Sequence, residues 1–102
     1  MPSLDQLLAL LNEDPNDAFL RYGVAMEYAK AARHDDALSE FNELLRRHPD
    51  YVPACFMAGR TCEQKGDLPA AVAFYQRGIA TAKKIGDTHA AQEIADALAA
   101  IE

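Results

Sequence analysis

The sequence has no tryptophan, only two cysteines and only five glycines among its 102 residues. No apolar run approaches the roughly 20 residues that a membrane-spanning helix needs. The glycines are scattered at positions 23, 59, 66, 78 and 86, so neither a dinucleotide fingerprint nor a phosphate-binding loop can be assembled, and nucleotide binding has no support. Cys55 and Cys62 lie two helical turns apart, too far to bridge within a continuous helix; they are expected to be reduced and buried. Basic side chains are scarce, 10 against 16 acidic, for a formal charge of −6. That balance repels bare nucleic acid and anionic lipid, so neither is a favoured partner. The stretch up to Leu11 carries Asp5 and no basic residue, unlike a secretory leader, and the expected compartment is the cytoplasm.

Candidate chemistry is equally sparse. Ser3 and Ser39 are the only serines, and Ser39 is expected on an exposed helix face. His34 beside Asp35 and Asp36 offers metal-ligand types, but an HDD triplet at a helix start is better explained by capping and by the helix dipole. His48 and His89 fall in other segments, and no pair has the one-turn spacing of a zinc helix. Glu40 and Glu43 could suggest a carboxylate pair, yet Arg46 and Arg47 follow Glu43 by three and four residues, the spacing of a solvated ion-pair face. The expectation is therefore no catalytic residue, no metal site, no cofactor and no enzymatic activity.

What is present is a pattern. Half of the residues are apolar and a quarter charged, the usage of a folded helical chain of one domain. Displaced by 34 positions, the sequence aligns with itself: Pro15 with Pro49, Tyr22 with Phe56, Ala25 with Gly59, Ala32 with Gly66, Ala37 with Ala71 and Phe41 with Tyr75. Small falls on small and aromatic on aromatic. Leu7, Leu10 and Leu11 continue the register backward onto Phe41, Leu44 and Leu45, so the first helix is half a unit. Within each unit apolar residues recur at three and four, as Tyr22, Met26 and Ala29 do in one helix and Ala37, Phe41, Leu44 and Leu45 in the next. Each unit is thus a helical hairpin. Asp35, Asp67 and Asp87 are expected to cap helix starts, and Gly66 to supply a positive φ at a helix end. In HPDYVPACF, Pro49 disfavours helical geometry at His48 while Pro53 suits a first turn, so the two prolines bracket a turn of fixed direction.

In combination these residues resemble the tetratricopeptide repeat, a family of helical hairpins that repeat every 34 residues. Its small residue at the eighth position is met by Ala25 and Gly59, its small residue at the twentieth by Ala37 and Ala71, its aromatic at the twenty-fourth by Phe41 and Tyr75, and its closing proline by Pro15 and Pro49. Arg21 and Cys55 stand where a large apolar residue is usual, and Lys83 replaces the last proline, which predicts a prolonged helix there. The resemblance implies an all-α, right-handed solenoid of antiparallel hairpins with about six helices. Its parts would be a half repeat over 3–14, repeats over 18–51 and 52–85, and a capping helix over 87–102 that carries Ala90, Ala91, Ile94, Ala95, Leu98 and Ile101 on one side.

The resemblance also implies a function. In the family the first helix of each hairpin lines a concave groove, which here would present Phe19, Tyr22, Met26 and Lys30, then Phe56, Arg60 and Gln64. The Lys and Asn needed to clamp a C-terminal carboxylate are not supplied by Tyr22, Met26 and Phe56. An apolar floor with Lys30 and Arg60 beside it fits a helical or extended segment of a protein partner that carries aliphatic anchors and an acidic group. Two other readings stay open: burial of the same groove between two chains as a homodimer, or coverage of its aromatics by a terminal helix so that nothing binds.

Overall fold

The computed structural model describes residues 2–102, and all regular structure in them is helical. Six α-helices follow one another: α1 (Leu4–Glu13), α2 (Ala18–Lys30), α3 (His34–Arg47), α4 (Val52–Lys65), α5 (Leu68–Ile85) and α6 (Thr88–Ala99). Each packs on the next in chain order, and α2 also touches α4, the connectivity of a solenoid in which elements meet mainly their sequence neighbours.

The helix starts are chemically explicit. Ser3 opens α1 with a reciprocal box: its hydroxyl accepts from the Gln6 N–H at 3.2 Å while the Gln6 side chain accepts from the Ser3 N–H at 2.8 Å. Asp17, Asp67 and Asp87 accept from the N–H groups of Leu20, Ala70 and Ala90 at 2.9, 3.1 and 3.0 Å. Asp35 does not cap α3. The preceding turn closes early enough that α3 begins at His34, so Asp35 lies inside the first turn and binds Lys65 Nζ of α4 at 2.6 Å. Arg33 stands at the capping position without bonding the helix start; its guanidinium reaches Asp36 at 2.8 Å and lies 4.6 Å from the Tyr28 ring centre.

The two prolines behave as their chemistry requires. The helix α3 ends at Arg47, His48 leaves the helical region at φ −132°, and Pro53 sits in the first turn of α4. His48 Nε2 lies 2.9 Å from the carbonyl of Asn16, which ties this linker to the one between α1 and α2. The α5 helix runs through 18 residues to Ile85, past the point where a closing proline is absent.

Three apolar clusters stack along the chain. Leu7, Leu11 and Val24 join α1 to α2. Ala25, Ala37, Phe41, Leu44 and Cys55 are among those that join α2, α3 and α4. Cys62, Ala71, Tyr75, Ala82, Ala91 and Ile94 join α4, α5 and α6. Both cysteines are unpaired and buried. The small residues mark where helices approach closely: a Cβ placed on Gly59 would fall 2.3 Å from the Tyr75 ring, so only glycine admits that ring against α4. Arg21, standing where a large apolar residue is usual, spans from α2 to α3 instead, with Glu40 at 2.6 Å and the Pro15 carbonyl at 2.9 Å.

Candidate binding groove

Helices α2, α4 and α6 border three adjoining hollows. The first, of about 330 Å³ between α2 and α4, has Met26, Lys30, Arg60 and Gln64 on its walls, together with Met57 and Glu27. The second, of about 250 Å³, lies where α2 and α4 meet α6 and is walled by Tyr22, Phe56 and Met57 on one side and by Ala90, Glu93 and Ile94 on the other. The third, of about 370 Å³ between α1 and α2, is almost wholly apolar, with Leu7, Leu10, Phe19, Tyr22 and Met26 on its walls. Met57 belongs to the first two, Tyr22 to the second and third, and Met26 to the first and third, so the three adjoin and together make an uneven depression.

The seven residues singled out by repeat position all border this depression, in different environments. Met26, Lys30, Arg60 and Gln64 come together in the first hollow. Tyr22 and Phe56 are half-buried: Tyr22 stands edge-on to Phe41 with ring centres 6.2 Å apart, and Phe56 tilts against Tyr75 at 6.1 Å. Their inner edges serve the core and their outer faces serve the surface. Phe19 lies at the α1 side with 76% of its surface exposed.

Repeat positions counted over two hairpins missed the α6 wall. The same 34-residue step that carries Tyr22 to Phe56 leads on to Ala90, and the step from Met26 to Arg60 leads on to Ile94. Continuing the register into α6 would have found both. Met57 and Glu27 follow the groove positions by one residue and are drawn in by the packing of α2 on α4, which no linear register encodes.

Charge is unevenly placed in the depression. Glu27 lies 3.8 Å from Lys30, a loose pair. Arg60 faces no carboxylate within ion-pair distance among the described residues, and its guanidinium lies 5.7 Å from the Phe56 ring centre. Glu63, one turn along from Gly59, is occupied by the Tyr75 hydroxyl, which donates to it. Burial of that phenol and then its bond to the Glu63 carboxylate push its pKa up, so Tyr75 stays a neutral donor. Tyr22 is also pushed up, first by burial and then by the neighbouring Tyr51. Among the described residues no three His, Cys, Asp or Glu side chains converge as metal ligands do.

A stack of helical hairpins with an open, largely apolar depression along its first helices defines a helical-repeat protein built for protein interaction. The chain belongs to the tetratricopeptide repeat family: family models of that description match residues 28–101 and 1–54. A TPR repeat-containing protein of Pseudomonas aeruginosa is 26% identical over 91 residues, which cover 89% of this chain and 87% of that protein. The solution structure of a tetratricopeptide repeat domain protein from Salinibacter ruber superimposes with a TM-score of 0.82 at 34% identity, over 87% of this chain and 90% of that one. A solution structure of a Bordetella parapertussis protein matches with a TM-score of 0.86 at 26% identity, over 99% and 88%. The fold is also that of PcrH, solved in complex with the chaperone binding region of PopD, with a TM-score of 0.89 at 20% identity over 96% and 74%.

Proposed function

We propose that this chain is a non-catalytic adaptor that holds a helical or extended segment of a protein partner in the depression formed by α2, α4 and α6. The observation that carries this reading is the first hollow, where Met26 and Met57 offer a deformable apolar wall beside an Arg60 guanidinium that has no carboxylate of its own. Methionine adapts to irregular apolar surfaces, and an arginine with free donors can fix a partner carboxylate in two parallel bonds. Phe19, Tyr22, Phe56, Lys30 and Gln64 complete the contact surface in this reading. That PcrH holds a partner segment is consistent with it.

The chain would divide into a half repeat over 3–14, repeats over 18–51 and 52–85, and a closing helix over 87–102. Two unpaired, buried thiols suit a reducing compartment such as the cytoplasm.

A second reading, association of two copies through the same surface, is favoured by the exposure of Phe19 and Leu10 at 76% and 45%. Met26→Glu separates the two. Under the adaptor reading the wild-type chain is monomeric by light scattering across a concentration series, and the variant keeps that mass while losing captured partner. A wild-type dimer that Met26→Glu converts to monomer would assign the surface to self-association instead.

A further inference from the structure

Two hollows of the depression carry opposite charge. Helix α4 borders both: Pro53 and Phe56 line the one shared with α6, and Arg60 and Gln64 the one shared with α2. In the hollow shared with α2, Lys30 and Arg60 supply positive charge, with Glu27 engaging only Lys30. In the hollow shared with α6, Asp87 and Glu93 supply negative charge, and no basic side chain lines it with them. Asp87 is committed to capping Ala90, whereas Glu93 makes no ion pair among the described residues.

We propose that the depression reads the polarity of its partner: it takes an apolar segment with an acidic side chain at Arg60 and a basic one at Glu93, and accepts that order only. This deepens the adaptor reading and rests on it. The segment's apolar residues would lie on Met26, Met57 and Phe56 in either direction, so hydrophobic contact alone cannot orient it. The charges can. In the favoured order a carboxylate meets the Arg60 fork and an ammonium or guanidinium meets Glu93; reversal places like charges together in both hollows, the arrangement by which interfaces reject wrong partners.

The test uses a displayed library of random peptides, long enough to span the depression as strand or helix, panned on the purified full chain. Three proteins are panned in parallel: wild type, the charge-swapped variant Arg60→Glu/Glu93→Arg, and Met26→Glu. Both swapped residues are exposed, so the variant should retain the parent's helical circular dichroism and melting midpoint. Wild type is expected to enrich peptides with acid and base in one fixed order, and the swapped variant to enrich the opposite order. A synthetic peptide selected on wild type should bind the swapped variant at least about tenfold more weakly, with the gap shrinking at high salt. Enriched peptides that compete for Met26 yet show no charge order, or the same order on both proteins, would overturn the polarity proposal and leave the adaptor reading in place. If no peptide binds wild type in a manner lost in Met26→Glu, the adaptor reading falls and the polarity proposal with it.

Discussion

Ala32 takes φ of 60°, a conformation that costs a non-glycine residue about 1–2 kcal/mol through contact of its Cβ with the backbone. The same place in the next two hairpin turns is held by Gly66 and Gly86, at φ 90° and 82°. All three turns close alike: the N–H of Arg33, Asp67 and Asp87 donates to the carbonyl five residues back, at Tyr28, Cys62 and Ala82, at 2.9, 2.8 and 2.8 Å. The first turn therefore carries the strain that its two copies avoid. Substituting Ala32→Gly should raise stability by about 1 kcal/mol, relief of the strain being offset in part by the entropy glycine adds to the unfolded chain. Gly66→Ala should lower it by a similar amount. Urea midpoints at constant slope read both, and an Ala32→Gly variant less stable than the parent would refute the assignment. Repeat alignment showed Ala32 opposite Gly66 as one small residue opposite another; that Ala32 shares the positive φ expected of Gly66 is a backbone fact that residue size does not reveal.

Between elements, close approach is set by side chains that are absent. The Tyr75 ring of α5 occupies the space over Gly59 of α4, and Ala37 and Ala71 are fully buried in the clusters joining their helices to neighbours. Gly59→Ala sets two effects against each other. Alanine favours an interior helical position by up to about 1 kcal/mol over glycine, but its methyl would fall within 2.3 Å of a ring that cannot yield without disturbing its bond to Glu63. Overpacking should prevail, and Gly59→Ala, Ala37→Leu and Ala71→Leu should each destabilise by about 1–3 kcal/mol. Thermal unfolding monitored by circular dichroism checks this; variants melting like the parent would mean that the helices have room to spare. These contacts were legible from the sequence as recurring small residues facing recurring aromatics. The caps were legible only in part, because Asp67 and Asp87 follow a glycine that ends the previous helix, whereas Asp35 lies two residues beyond the place where its turn closes.

Across the molecule, stability should be graded rather than uniform. Helix α4 belongs to the two larger clusters and buries seven of its residues, while α1 buries only Leu7 and Leu11. In a stack where each element meets its neighbours, an end helix has a partner on one side only, so it opens at lower free energy. Amide hydrogen exchange in the native state should therefore be slowest in α4 and fastest in α1, despite the capping box that secures the α1 start. Equal protection along the chain would indicate a single cooperative unit with no gradation. The least protected element is also the one beside the exposed Phe19 and Leu10, so a partner seated there would raise the protection of α1 above that of the free chain.

The sequence by itself determined the helical class, the hairpin period and the turns between hairpins, because those depend on local chemistry: apolar spacing at three and four, proline's missing N–H, and glycine's freedom at positive φ. Tyr22, Met26, Phe56 and Arg60 were legible as groove residues from the resemblance to the repeat family and not from spacing alone. Only the tertiary structure decided what those residues meet. The approach of α6 brings Glu93 into the depression, the packing of α2 on α4 draws in Met57, and the commitment of nearby Glu63 to the Tyr75 hydroxyl leaves Arg60 without an ion pair. Each of these depends on distances between helices far apart in the chain, which arise from the volume of the side chains packed between them and not from the order of residues along any one helix.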